Sequence, residues 1–309
     1  MRGAVIVGLA FLAVLSGSYF FSKCRQSSAV VIPAEVVSLY SQWKRSFGKL
    51  YATPAEQDYR LRVFYEQKQF VDAKNREYNI HAETTGQKLS GPMFSLNGFA
   101  DLSTEEFVSQ YQGLKETDED AYVDTHDVDV PTLVSDNKKK MLAQTSYEVR
   151  VRNQGACGSC WAFAAVANFE KYFWDWRKQR MDFSQQQLID CQTGSDGCHG
   201  GTIAKGLDYF LQYGAALESA YPYKAVEGSC NRKVDTYKIR LTVGRRELTT
   251  SRLASYIKDG MHVAISVTGS DTFRYLSETD DVYDASKDPD CSNRRSHAVN
   301  AIETDSDGT

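Results

Sequence analysis

One cysteine in this sequence stands where a thiol could act as a nucleophile. The stretch from Gln154 to Phe163 reads Gln-Gly-Ala-Cys-Gly-Ser-Cys-Trp-Ala-Phe, and an apolar run follows it. Because that run is apolar on nearly every face, it predicts a buried helix in which Ser159 is the N-cap and Cys160 opens the first turn. The helix dipole and the unpaired amides there favour the thiolate, which is the form that attacks a carbonyl.

Two further residues could take part in chemistry at this thiol. Gln154 is separated from Cys160 by glycines, so its side-chain amide could return toward an oxyanion formed at the thiol. His297 lies in an alternating run that predicts a strand, 137 residues after Cys160, and could serve as the base. The bare C-x-x-C pattern alone also fits a redox pair, half of a zinc site or two buried cysteines.

The residues around the thiol resemble those of a known enzyme family. Cys-Gly-Ser-Cys-Trp with a histidine about 130 to 150 residues downstream is the local pattern of papain and cathepsins. The sequence thus resembles the papain-like cysteine proteases, cathepsin L branch. The resemblance implies that Cys160 is the nucleophile, His297 the base, and Gln154 with the backbone N–H of Cys160 the oxyanion donors.

Upstream of this stretch, polar and apolar residues recur at helical spacing. Taken alone, they form one stripe of a long helix. They also resemble the interrupted E-R-F-N-I-N pattern of cathepsin L-like propeptides, with Gln and Val at its fourth and fifth positions. The segment from Phe94 to Phe107 resembles the second propeptide signature. The matching residues are Glu56, Arg60, Phe64, Gln67, Val71 and Asn75 in the first pattern and Asn97, Phe99 and Asp101 in the second.

The resemblance and the composition together predict four segments. Residues 1–22 read as a signal peptide or signal anchor, and residues 33–111 as a helical inhibitory propeptide whose tail threads backward through the active-site cleft. Residues 112–130 are acidic and read as an activation linker. Residues 131–309 are predicted to form the peptidase domain. The expected fold class is α+β, with a helical lobe and a β-barrel lobe on either side of a cleft.

Further residues receive roles only through the resemblance. Gly200 and Gly201 belong to a glycine-rich loop that runs beside the substrate, and Ala298 lines an apolar pocket. The implied disulfides join Cys157 to Cys198 and Cys191 to Cys230. Sequence alone does not choose among the 15 connectivities that six cysteines allow.

Composition narrows the partners and the compartment. The net charge of −4 gives no sign of nucleic-acid binding, and seven cysteines are many for a cytosolic enzyme. The apolar run from Ala4 to Phe21 indicates the secretory pathway, with lysosomal, vacuolar or extracellular destinations. A membrane contact is expected only if that run is an uncleaved anchor. Protein or peptide substrates and the chain's own propeptide are the expected partners, and no cofactor or metal is expected.

The C-terminal end departs from the family pattern. Twelve residues follow His297, whereas the family continues through an imidazole-orienting Asn and further strands. Asn300 is too near in the same strand to serve as that Asn. We therefore expect an incomplete peptidase domain, inactive as it stands. The competing hypothesis is a non-catalytic, truncated homologue that acts as a propeptide-type inhibitor or binding protein.

Overall fold

Helices dominate the first two thirds of this chain, and its two longer strands lie near the end. The computed structural model describes residues 31–86, 88–115, 147, 149–238, 250–277, 283, 288, 291 and 295–303. The helices are α1 (Ala34–Ser46), α2 (Pro54–Thr85), α3 (Thr104–Tyr111), α4 (Cys160–Arg177), α5 (Gln185–Cys191), α6 (Ile203–Tyr213), α7 (Thr250–Lys258) and α8 (Asp271–Arg274), and the strands are β1 (Ala215–Ala216), β2 (Thr236–Tyr237), β3 (Val263–Val267) and β4 (His297–Ala301).

The first two helices pack through aromatic side chains. Tyr40 and Trp43 of α1 place their ring centroids 5.2 and 5.1 Å from that of Phe64 on α2. Phe64 is fully buried, and Val71 lies in the same core. The Thr53 hydroxyl accepts a hydrogen bond from the Glu56 N–H at 3.1 Å, which satisfies one of the free amides at the start of α2. All residues of the stripe predicted from sequence thus lie on one helix, α2.

Charged residues of the stripe attach α2 to the segment before α3. Arg60 donates to the Glu106 carboxylate at 2.7 Å and to the main-chain oxygen of Asp101 at 3.0 Å. The buried Asp101 carboxylate accepts from Lys49 at 3.0 Å and from the Tyr51 hydroxyl at 2.8 Å. The three helices and their connections therefore form one unit before residue 112.

Amide side chains join that unit to the rest of the chain. Asn75 makes two hydrogen bonds with the backbone of Phe94, at 2.8 and 3.0 Å. Asn97 donates to the main-chain oxygen of Arg274 at 2.6 Å and accepts from the Phe99 N–H at 3.0 Å. Gln67, which stands for the usual Asn, accepts from the Tyr275 hydroxyl at 3.1 Å. The motif residues therefore serve both to fold the unit and to attach it.

The helical lobe is built around α4. Trp161, Phe169 and Phe173 are buried against side chains of α5 and α6. Gly206 on α6 allows close packing, since a Cβ there would lie 2.9 Å from the Cβ of Ala165. The apolar surround predicted for this helix is confirmed over its first three turns, whereas Tyr172 and Trp176 farther along it are 43% and 44% exposed.

An ion pair is buried beneath this lobe. Arg152 donates to both carboxylate oxygens of Glu170, at 3.1 and 2.8 Å, and to Asp182 at 3.2 Å. Glu170 also accepts from the Phe183 N–H at 2.8 Å. Burial raises the pKa of Glu170, while Arg152 opposes the rise. The carboxylate on α4 is therefore compensated mainly by one guanidinium.

In the second lobe, β3 and β4 pair antiparallel, with Val267 opposite His297 and Val263 opposite Ala301. Asn300 of β4 donates to the main-chain oxygen of Ala164 at 3.1 Å, which fixes this pair against α4. Within the described residues, this pair is the part of the predicted, incomplete β-barrel lobe that is formed.

Two predicted segments lie outside the described residues. These are the targeting segment at residues 1–22 and residues 116–130 of the acidic linker. Of the helices that the structure describes, none combines the length and the apolar character needed to span a bilayer.

The buried ion pair gives a stability prediction. Replacing Arg152 with Met should lower the free energy of unfolding by about 3 kcal/mol at pH 7, because Glu170 is left as an uncompensated buried charge. The loss should shrink in acid, since protonation removes that charge and the pKa of Glu170 is already raised by burial.

Denaturant unfolding at pH 7 and pH 4.5 measures the effect. Arg150→Met is the matched control, because Arg150 pairs with the same Asp182 at 2.7 Å but is 53% exposed. That variant should cost less than about 1 kcal/mol. Equal losses for the two variants would contradict the assignment.

Candidate active site

A tight loop delivers Cys160 to the start of α4. Gly155 has a φ of 58°, and the Cys157 N–H donates to its main-chain oxygen at 2.9 Å. Ser159 holds the N-cap position, but its side chain makes no capping hydrogen bond, so that part of the prediction is wrong. The reason is that the Ser159 hydroxyl lies 2.8 Å from the Tyr223 hydroxyl instead.

Both disulfides implied by the resemblance are present. Cys157 is bonded to Cys198, which ties the loop before α4 to the glycine-rich loop, and Cys191 is bonded to Cys230. Cys160 remains a free thiol. The bonds fix the loops on two sides of the thiol without consuming it.

The strand lobe brings the histidine to the same place. His297 begins β4, and its neighbour Ala298 packs with Cys160 and Ala164 in one buried cluster. The Phe273 ring lies 6.5 Å from the imidazole, centroid to centroid. The structure therefore unites the helix that carries the thiol with the strand that carries the base.

The residues that follow α3 cover the thiol. Gly113 lies against Gly158, so closely that a Cβ on Gly113 would be 1.7 Å from the Gly158 oxygen. The Gly201 N–H donates to the Gly113 oxygen at 2.8 Å, and the Lys115 N–H donates to the Gly201 oxygen at 2.9 Å. Leu114 and Gly201 thereby pair in the parallel sense. Residues that the sequence assigned to the linker thus occupy the cleft.

The cover changes the protonation expected of the site. Burial raises the pKa of the Cys160 thiol, against hydrogen bonds from the backbone at Ala298, Gly113 and Trp161 that lower it. Burial also lowers the pKa of His297. The expectation that the helix start favours the thiolate fails for this covered form, because desolvation outweighs the helix amides. Both groups are biased toward their neutral states.

The predicted oxyanion donor is also engaged. The Gln154 side-chain amide donates to the main-chain oxygen of Tyr111 at 2.9 Å and to that of Cys157 at 2.8 Å. The first acceptor belongs to the last residue of α3. The main-chain oxygen at the end of α3 therefore accepts from the amide that is predicted to be an oxyanion donor.

An apolar pocket lies beside the thiol. Leu114 packs against the cluster of Cys160, Ala164 and Ala298, together with Ile203 and Ala264. Gly200 and Gly201 form the neighbouring wall, where Gly200 has a φ of 120° that favours glycine. The pocket accepts a branched aliphatic side chain.

The sequence patterns did not single out Arg274, which is central to the cover. Its guanidinium donates to the main-chain oxygens of Phe99 and Leu102 and lies 4.4 Å from the Phe107 ring centroid. An isolated arginine in a short helix carries no local signal. Its role exists only through contacts with residues more than 160 positions away in sequence.

One group among the described residues could hold a metal ion. Asp196, His199 and Glu227 place ligand atoms within 4.8 Å of one another beside the glycine-rich loop. All three are exposed, and Asp196 pairs with Lys115 at 3.0 Å. We assign no metal to them.

Comparison with known protein families gives two matches in chain order. Residues 40–107 match the cathepsin propeptide inhibitor domain, and residues 136–308 match the papain family cysteine protease domain. Caricain from Carica papaya is 32% identical over 204 residues, which are 64% of this chain and 54% of caricain. Peptidase 1 from Psoroptes ovis is 30% identical over 283 residues, which are 87% of this chain and 77% of that relative.

Two solved structures are similar to this chain in fold. The proform of the ragweed pollen cysteine protease Amb a 11 matches with a TM-score of 0.66 and 25% identity, over 89% of this chain and 82% of that chain. Digestive procathepsin L2 from Tenebrio molitor larval midgut matches with a TM-score of 0.63 and 24% identity, over 88% of this chain and 86% of that chain. The latter supports the fold alone.

The covered thiol gives a reactivity prediction. In the intact chain at neutral pH, iodoacetamide should modify Cys291 before Cys160, because Cys291 is exposed whereas Cys160 is 1% exposed. After the covering segment is removed, Cys160 should become the fastest thiol. Peptide mapping of alkylated cysteines over time measures both rates, and early modification of Cys160 in the intact chain would contradict the cover.

Proposed function

The chain belongs to the papain family of cysteine proteases, and from this we propose that it is the zymogen of a cysteine endopeptidase. The observation that carries the proposal is the placement of Cys160. It is a free thiol at the start of α4, packed beside the strand that His297 begins. Gln154 lies on the loop before it and points its amide at the main-chain oxygen at the end of α3.

Once the covering segment has left the cleft, three side chains carry out proton transfer, nucleophilic attack and stabilisation of the oxyanion. His297 accepts the Cys160 proton, and Sγ attacks the peptide carbonyl carbon. The Gln154 amide and the Cys160 N–H donate to the resulting oxyanion. The imidazolium then protonates the leaving amine, so that a thioester remains. Water attacks this thioester as His297 takes its proton, and a carboxylic acid and the free thiol are released.

The substrate class follows from the occupant of the pocket. Leu114 fills a space lined by Ala298, Ala264 and Ile203 while its backbone pairs with Gly201. An extended peptide substrate would run in the opposite direction but would also bind as an added strand with one side chain in the pocket. We infer a preference for an apolar residue two positions before the cleaved bond.

Peptide hydrolysis tests this function. A fluorogenic peptide with Leu at that position should be cleaved after acid activation, and Cys160→Ala should reduce turnover more than about 10³-fold. A peptide with Asp at that position should be the poorer substrate, because the pocket has no basic side chain among its described residues. Activity retained by Cys160→Ala would refute the mechanism. A folded chain that binds protease but cleaves nothing would favour the non-catalytic alternative.

Residues 33–111 are proposed to be the inhibitory prodomain, extended by residues 112–115 as its tail. Arg274 binds the prodomain by donating hydrogen bonds to its main-chain oxygens. Gly113 packs against Gly158 and so covers the thiol. The compartment proposed is the secretory pathway or an acidic vacuole, since the two disulfides form in oxidising surroundings.

Gly113 offers a direct test of the seal. Gly113→Ala should speed iodoacetamide modification of Cys160 in the intact proenzyme by about tenfold or more, because its Cβ would collide with the Gly158 backbone. Gly91→Ala is the matched control, since a Cβ there meets nothing within 4 Å. A Gly113→Ala proenzyme as protected as the control would show that the tail does not cover the thiol.

A further inference from the structure

A tyrosine far from the thiol in sequence bridges two points of the loop before α4. The Tyr223 hydroxyl lies 2.6 Å from the main-chain oxygen of Gln154 and 2.8 Å from the Ser159 hydroxyl. Tyr223 lies between Cys191 and Cys230, which form the second disulfide, and is not part of the loop itself. Through these long-range hydrogen bonds, Tyr223 connects the two ends of the loop that precedes Cys160.

The direction of these hydrogen bonds follows from counting protons. A carbonyl oxygen only accepts, so Tyr223 donates its single proton to Gln154. Ser159 must then donate to the Tyr223 oxygen. Burial raises the pKa of Tyr223 to about 12, which keeps the hydroxyl protonated over the working range of a protease. The chain of bonds thus runs from Ser159 through Tyr223 to Gln154.

The two ends of this bridge are next to the two oxyanion donors. Gln154 supplies one donor through its side chain, which also donates to the Cys157 oxygen at 2.8 Å. Ser159 immediately precedes Cys160, whose N–H is the other donor, and the Ser159 N–H donates to that same Cys157 oxygen at 2.8 Å. Holding Gln154 and Ser159 together therefore sets the separation of the donors.

Tyr223 is itself firmly placed. Its ring meets the Phe163 ring edge-on at a centroid distance of 5.0 Å, and Phe163 is on the first turn of α4. Its N–H donates to the Glu218 carboxylate at 2.8 Å. A side chain fixed at ring and backbone can hold a loop in position at little further entropic cost.

We propose that Tyr223 is a positioning residue that sets the geometry of the oxyanion hole formed by Gln154 and the Cys160 N–H. This role rests on the proposed endopeptidase function, and it concerns the donors rather than the thiol. Displacing a donor from the developing oxyanion weakens transition-state stabilisation, while the nucleophile and substrate pocket are unchanged.

The test compares reactions that use the oxyanion hole with one that does not. Tyr223→Phe, in acid-activated enzyme prepared from the full chain, should lower kcat about 10- to 100-fold with little change in KM. Its affinity for a peptide aldehyde, which forms a tetrahedral adduct, should fall by a similar factor. Alkylation of Cys160 by iodoacetamide, which passes through no oxyanion, should stay within about twofold.

Tyr221→Phe is the matched control. Tyr221 is buried whereas Tyr223 is half-buried, and the Tyr221 hydroxyl donates to Asp190 at 2.9 Å, away from the loop before α4. It should keep wild-type kcat and aldehyde affinity. Ser159→Ala removes one bond of the bridge, so it should have a smaller effect than Tyr223→Phe, and the double variant should be no worse than Tyr223→Phe alone.

Three results would overturn the role of Tyr223. These are wild-type kcat and aldehyde affinity in Tyr223→Phe, equal losses in hydrolysis and alkylation, or additive effects of the two substitutions. If Tyr223→Phe does not fold, unchanged aldehyde affinity in Ser159→Ala overturns it. If Cys160 of the wild-type enzyme is alkylated but no peptide is cleaved, the proposed function is contradicted instead. The aldehyde affinity of Tyr223→Phe still decides the role of Tyr223.

Discussion

The contact between two glycine backbones, Gly113 and Gly158, is the constraint on which the covered state depends. No side chain fits at Gly113, since a Cβ would lie 1.7 Å from the Gly158 oxygen. Because the backbones meet, the tail can reach Gly201 and place Leu114 in the apolar pocket. Burial biases both Cys160 and His297 toward their neutral forms. Packing of two backbones at one point thus fixes the tail over the cleft.

The prodomain reaches that point from a distance through specific anchors. Arg274 binds two of its main-chain oxygens, and Asn97 returns a hydrogen bond to the backbone of Arg274. Tyr275 joins the same contact through Gln67. These hydrogen bonds are made to backbone and side-chain amide groups, so they depend on the folded shape of the prodomain. The long helix and its polar stripe are needed because they hold that shape.

Much of the site could be predicted from sequence, because its signals are local. Cys160 was identifiable from the apolar helix and its flanks, and the resemblance supplied both disulfides. The raised pKa of Cys160 could not be predicted, because it arises from burial of the thiol among residues that are remote from it in sequence. Arg274 and Tyr223 were missed for a related reason. Their partners are remote in sequence, so no spacing marks them.

The parallel pairing of Leu114 with Gly201 has a kinetic consequence. The tail lies in the cleft in the backward direction implied by the family resemblance, so it presents no peptide bond in the orientation for attack. The seated tail is consequently not a substrate of the molecule it covers. Activation must wait for molecules in which the tail has left, and its rate is proportional to their fraction. Each 1.4 kcal/mol that stabilises the cover lengthens the lifetime of the precursor about tenfold.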